Sequence, residues 1–223
     1  MYTESSATLL QISTMASKAS AYFQLLKFRL SLTVAFSSAI GFILGYPNSR
    51  WYDIAMVMLG GMLVTGSANI INQVFEKDLD KLMKRTAKRP LPTGRLSITE
   101  ALVFCVLLGV SGVALLGTYF NWLTAALSLL SLVLYGFVYT PLKRISPISV
   151  FVGAIPGGMP PLIGWVAATG AIEIEAIILF GIQFFWQFPH FWAIAWVLDD
   201  DYKKAGFKML PMAGGKNLKT AIQ

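Results

Sequence analysis

Five stretches of this chain carry no Asp, Glu, Lys or Arg: residues 30–49, 54–75, 101–142, 145–172 and 176–198. A helix that crosses the hydrocarbon of a bilayer needs about 20 mostly apolar residues. Only helices and closed barrels satisfy every backbone N–H and C=O at that depth. Four of the stretches are one helix long. The stretch 101–142 must be two, broken near Gly117-Thr118-Tyr119-Phe120-Asn121. The expectation is an all-α, polytopic membrane helical bundle. Its six spans are expected at about 29–47, 53–76, 98–117, 122–140, 147–168 and 174–198. Charged residues make up only 13% of the chain, against about 25% in a soluble domain.

The formal net charge of +7 invites a nucleic-acid partner, but its distribution argues for topology. With the N-terminus inside, 17 of the 18 Lys and Arg fall in inner segments and only Arg50 lies outside. The positive-inside rule then gives an N-in, C-in orientation and no nucleic acid. Cys105 is the only cysteine and lies mid-span, which excludes a disulfide or Cys-based metal site. Residues 1–26 are expected to be a mobile cytoplasmic tail, since Glu4 and the lack of Arg in the first 20 residues do not fit a transit peptide.

One stretch directly after a charge-free run carries the chemistry. Asn72, Glu76 and Asp80 are spaced i, i+4, i+8. On one helix they form a stripe with about 6 Å of rise between neighbours. Two carboxylates and an amide oxygen suit a hard cation such as Mg²⁺. Lys84, Arg85, Lys88 and Arg89 follow at once. Carboxylates for a metal beside cations for an anion are what a diphosphate–Mg²⁺ site requires. The same residues also read as a solvated helix end with i,i+4 charge pairs. Asp78 points about 200° away from Glu76 and is not expected in the stripe.

Other signals cluster on the same side. Ser97 with Glu100 forms a capping-box pattern before the third span. Tyr139, Lys143 and Arg144 end the fourth, and also read as an interfacial anchor. The fifth span contains Pro147, Pro156, Pro160 and Pro161 with four glycines, which points to a kinked or broken helix beside a cavity or a kinked packing helix. In the sixth, Gln183, Gln187, His190 and, continuing the register, Asp201 share one face. Ionisable residues within a span are functional candidates. Asp199-Asp200-Asp201 then repeats the acidic theme at the inner end. Two such clusters around a Pro/Gly-rich span point to one inward cavity that binds metal-bridged phosphates.

Three spaced motifs resemble the UbiA superfamily of intramembrane prenyltransferases, from about residue 27 onward. The first is Asn72-x3-Glu76-x3-Asp80, then Met83-x-Arg85-Thr86-x2-Arg89-Pro90-Leu91-Pro92-x-Gly94. The second is Tyr139-x3-Lys143-Arg144. The third is Pro189-His190-Phe191, then Asp201-Tyr202-x2-Ala205-Gly206-x2-Met209-Leu210-Pro211. The third motif, with Glu at position 76, resembles the heme-directed branch. An Asp-x3-Asp second motif, common in the superfamily, is absent, so Asp199 and Asp200 carry no assigned role.

The resemblance implies transfer of a farnesyl group from farnesyl diphosphate to the vinyl group of protoheme IX (heme B), giving heme O and diphosphate for heme-copper terminal oxidases. It implies Mg²⁺ on Asn72, Glu76, Asp80 and Asp201. Diphosphate would meet Arg85, Arg89, Lys143 and Arg144, Tyr139 would assist, and His190 would touch heme iron or handle a proton. It places the chain among lipid in a bacterial inner membrane, with hand-over to heme A synthase or a terminal oxidase. A quinone-precursor or chlorin acceptor, a transporter, and a non-catalytic assembly or heme-carrying protein are the alternatives. The superfamily's bundle is longer, so residues 27–223 are expected to hold six of about nine transmembrane helices, a C-terminally incomplete domain inactive by itself.

Overall fold

The computed structural model describes residues 18–210, all helix and loop, with no strand among them. The expected tail up to residue 17, and Pro211, Lys216 and Lys219, lie outside the described residues. Residues 18–25 are helical. Six longer helices follow: α1 Phe28–Gly45, α2 Trp51–Phe75, α3 Ile98–Tyr119, α4 Trp122–Leu142, α5 Ser149–Thr169 and α6 Ile174–Val197. Each is long and apolar enough to cross a membrane. Their ends fall within a turn of the expected ones.

Local chemistry sets several of those ends. Ser97 Oγ accepts from Glu100 N at 3.1 Å, and Glu100 Oε2 accepts from Ser97 N at 2.9 Å, closing the expected capping box of α3. Asn121 Oδ1 accepts from Thr124 N at 2.9 Å and starts α4, at the expected break. The last part of α4, Leu134–Tyr139, is a π turn, a feature that leaves no mark in hydrophobic periodicity.

Helix α5 runs unbroken from Ser149 to Thr169 despite Pro156, Pro160 and Pro161. Each proline lacks an N–H, which frees the carbonyl four residues back. Pro161 thus frees Gly157 O, which accepts from Gln187 Nε2 of α6 at 3.2 Å. Pro160 frees Pro156 O, which Ser131 Oγ of α4 approaches at 3.5 Å. Neighbouring polar side chains keep the helix whole at membrane depth.

The packing makes a ring. α1 packs on α2, α2 on α3, α3 on α4, α4 on α5, and α5 back on α1, while α6 lies against α5. Small residues allow the closest approach. A Cβ on Gly41 of α1 would lie 2.0 Å from Pro161 O, and one on Gly164 of α5 would lie 1.9 Å from Ser38 O. Only glycine fits at either place. α5 is largely buried, whereas α6 buries only Ala176, Gln187 and Ala195.

Candidate active site

A cavity of about 950 Å³ opens inside this arrangement, lined from α1, α2, α4, α5, α6 and the loop after α2. Its walls divide by chemistry. Val64, Ala68, Leu132 and Pro160 make an apolar part. Lys27, Asn72, Glu76, Asp80, Arg85, Arg89, Tyr139, Lys143 and Tyr202 make a polar end. Gln183, Trp186, Gln187, His190 and Phe191 of α6 form a third wall.

The acidic stripe reaches the polar end without one continuous helix. α2 stops at Phe75, and Glu76 (φ −98°, ψ 5°) separates it from a short helix, Lys77–Asp80. The i→i+4 bonds survive the break: Glu76 N to Asn72 O at 3.0 Å and Asp80 N to Glu76 O at 2.7 Å. The three side chains therefore stay on one face. Asn72, Glu76 and Asp80 are 3%, 4% and 0% exposed. Asp78 turns away with 84% of its side chain exposed and pairs with Lys81. The solvated-end reading holds for Asp78 and fails for its neighbours.

Each of the three oxygen donors meets a cation. Lys143 Nζ is ion-paired with Glu76 Oε1. Arg89 Nη1 bridges both carboxylate oxygens of Asp80, at 2.9 and 2.8 Å. Lys27 Nζ donates to Asn72 Oδ1 at 3.4 Å. Burial pushes the Asp80 carboxyl above its usual range, although Arg89 opposes this. The Lys27 ammonium, half-buried at the turn before α1, falls to about 7, chiefly through burial and then through Arg89 and Lys143. Burial also raises the Tyr202 hydroxyl.

The polar end rests on its own small core. Lys143 lies 5.0 Å from the Tyr139 ring centre and 5.1 Å from that of Phe207. Met83, Tyr139, Ala205, Phe207, Met209 and Leu210 pack together there. Lys208 N donates to Lys143 O at 2.7 Å. The end of the third motif thus supports the segment that carries Lys143.

Of the expected site residues, Asn72, Glu76, Asp80, Arg85, Arg89, Tyr139, Lys143 and His190 line one cavity. Asp201 and Arg144 do not. Leu198 (φ −100°, ψ 15°) ends α6, yet Leu198 N to Ile194 O at 3.0 Å and Tyr202 N to Leu198 O at 2.9 Å carry the helical face across it, and that face brings Tyr202, not Asp201, into the lining. Asp201 instead faces Lys204 at 3.8 Å, and Arg144 is exposed. Gln187 is engaged with α5, and His190 stacks on Trp186 with ring centres 4.7 Å apart.

Lys27, Tyr135, Trp186 and Tyr202 also line the cavity and were not expected there. Lys27 had counted only as inside charge. Its left-handed backbone (φ 48°, ψ 55°) turns the chain just before α1 and aims it inward, which spacing does not reveal.

The donor set fits a hard divalent cation that shares its coordination with phosphate, for which one or two carboxylates suffice. Among the described residues no three His, Cys, Asp or Glu side chains gather. The two carboxylates and the Asn72 amide are the available donors. Glu76 Oε1 is buried and makes no hydrogen bond beyond its ion contact with Lys143, so it can accept a stronger electrophile.

Known proteins resemble this chain over most of its length. The family model described as the UbiA prenyltransferase family matches residues 33–222. The protoheme IX farnesyltransferase of Cytophaga hutchinsonii is 53% identical over 208 residues, covering 93% of this chain and 73% of the relative. That of Flavobacterium johnsoniae is 48% identical over 203 residues, covering 90% and 67%. Among solved structures, a UbiA homolog from Archaeoglobus fulgidus bound to DMAPP and Mg²⁺ has a TM-score of 0.68 at 22% identity, covering 84% of this chain and 67% of that one. A structure described under digeranylgeranylglyceryl phosphate synthase has a TM-score of 0.73 at 22% identity, covering 87% and 68%.

Proposed function

Because the chain belongs to the UbiA prenyltransferase family, we propose that it transfers a farnesyl group from farnesyl diphosphate to the vinyl group of protoheme IX, giving heme O and diphosphate. The observation that carries this is the divided cavity. Buried oxygen donors and four cations meet at one end of a space that is otherwise apolar and aromatic.

Asn72, Glu76 and Asp80 would hold Mg²⁺. When bound, the ion neutralises charge on the leaving diphosphate. Homologs of this fold have been solved with a prenyl diphosphate and Mg²⁺ together. Arg85, Arg89, Lys143 and Lys27 are the cations within reach of the diphosphate. Donors aimed at developing negative charge are worth about 3–4 kcal/mol each in a water-poor site. Lys143 and Arg89, paired here with Glu76 and Asp80, would turn to phosphate oxygens. The rings of Tyr139, Tyr135 and Phe191 border the polar end, and Tyr139 lies 5.3 Å from Tyr135 and 5.7 Å from Phe191, centre to centre. Their faces would stabilise an allylic cation and exclude water. The farnesyl chain would lie along Val64, Ala68 and Leu132. The α6 wall, with Trp186 and His190, would face the acceptor. His190 would contact the heme iron or handle a proton near the vinyl group. Asp201 and Arg144 stand outside the lining; before taking part, Asp201 would need the short helix after α6 to shift, and Arg144 the loop after α4.

The chain is an integral membrane protein. Its charge asymmetry supports an N-in orientation, with the polar end at the inner face of a bacterial inner membrane, and residues 27–223 as one domain. Hand-over of heme O to heme A synthase or a terminal oxidase would follow from the insolubility of the product. The test is diphosphate release by the full-length protein in nanodiscs. Release should require farnesyl diphosphate, heme B and Mg²⁺ together. Equal release without heme B would contradict the reading.

A further inference from the structure

We propose that Thr140, at the end of the π turn in α4, is a positioning residue that decides which end of the Asn72 amide faces the cavity. This rests on the reading of Asn72 Oδ1 as a metal-binding oxygen. Asn72 carries an oxygen and an NH₂ of nearly equal size, and only the oxygen can bind a cation. A free amide could turn either way, so something must hold it.

The count of donors and acceptors shows what does. A threonine hydroxyl has one proton. Thr140 Oγ1 donates it to Tyr135 O at 2.9 Å. Toward Asn72 the hydroxyl can then only accept, and Asn72 Nδ2 donates to it at 3.2 Å. On the other side Lys27 Nζ donates to Asn72 Oδ1 at 3.4 Å. The two neighbours impose the same orientation from opposite sides. Thr140 is 2% exposed and Asn72 3% exposed, so bulk water does not compete for either bond.

The π turn makes this possible. It lets Tyr135 O accept from the backbone N–H of Thr140, five residues on, as well as from its hydroxyl. In a regular helix that carbonyl would pair with Tyr139 N–H, and Thr140 would sit elsewhere on the turn. Gly136 allows the approach: a Cβ there would lie 2.9 Å from Ile71 of α2. Widened turns in helices recur at functional sites. Here the widening turns a threonine of α4 onto an asparagine of α2.

The experiment measures Mn²⁺ affinity by electron paramagnetic resonance, with inorganic diphosphate present, on the full-length protein in nanodiscs. The variants are Thr140→Val, Thr140→Ser and Asn72→Ala. Loss of an outer-shell partner costs about 10- to 100-fold in metal affinity. Thr140→Val should therefore weaken Mn²⁺ at least about tenfold, and Thr140→Ser should bind as the parent does. Turnover of Thr140→Val should recover at high Mg²⁺, a split that a mere packing role would not produce. Thr140→Ala also removes the hydroxyl, without new bulk, and serves if the Val variant does not yield folded protein. In an Asn72→Asp background both oxygens are equivalent, so losing the Thr140 hydroxyl should no longer matter. If Asn72→Ala weakens Mn²⁺ while Thr140→Val and Thr140→Ala bind it normally, the positioning role is wrong. If Asn72→Ala itself binds Mn²⁺ normally, the reading of Asn72 falls and takes the positioning role with it.

Discussion

Asp80→Asn removes one charge and almost no volume. Asp80 is fully buried, and its carboxylate takes two contacts of 2.8–2.9 Å from Arg89. Its carbonyl holds Thr86 Oγ1 at 2.9 Å, which the substitution leaves alone. An asparagine keeps one acceptor for Arg89 but leaves the guanidinium without a counter-charge in a partly buried place. The larger loss is the charge opposed to Mg²⁺ as diphosphate leaves. Losing one preorganised electrostatic contact costs about 3–4 kcal/mol of transition-state stabilisation. At about 1.4 kcal/mol per decade that is two to three orders of magnitude in rate. The assay is the initial rate of heme O formation, normalised to folded protein from size-exclusion chromatography. Asp78→Asn is the internal control, two residues away and exposed, and should change the rate by no more than about twofold. The one-stripe geometry is refuted if Asp78→Asn costs as much as Asp80→Asn. It is refuted equally if Asp80→Asn keeps more than a tenth of the parent rate.

Glu76→Gln should also cut the rate by about a hundredfold; part of the loss comes from stranding the buried Lys143, which a lower melting temperature would report. Lys27→Met should raise KM for farnesyl diphosphate about tenfold or more with a smaller effect on kcat, since one charged contact to a phosphate is worth about 1.5–3 kcal/mol; an unchanged KM would remove Lys27 from the diphosphate site. Gly164→Ala places a methyl 1.9 Å from Ser38 O, so α1 and α5 must separate, and the overpacking should cost about 1–3 kcal/mol of stability; an unshifted melting temperature in detergent would argue against that close approach.

Much of the fold was legible because membrane spans are written in hydropathy. All six helices appear where the charge-free runs place them, and the break at Asn121 and the box at Ser97 follow from capping residues. The i, i+4, i+8 stripe found three buried residues that line the cavity. Its helix was not continuous, since Glu76 interrupts it, but the hydrogen bonds across the break kept the face. Spacing points to Asp201, but the face that the hydrogen bonds carry past Leu198 brings its neighbour Tyr202 to the cavity instead. What spacing could not show at all were Lys27, aimed by a left-handed turn, and Thr140, aimed by a π turn. Both depend on local backbone departures that no periodicity records. Helix α5, expected to be kinked or broken beside a cavity, lines the cavity and is not broken, and Gln187 and Ser131 take up carbonyls its prolines release.

The central claim is a prenyl transfer to heme at the polar end of this cavity. Mass spectrometry of heme extracted from cells expressing the full-length protein tests it most directly. The parent protein should yield heme B carrying an added farnesyl group and water. The Asp80→Asn protein, present at equal level in the membrane, should yield unmodified heme B. Heme O from both proteins alike, or unmodified heme B from the parent, would contradict the account.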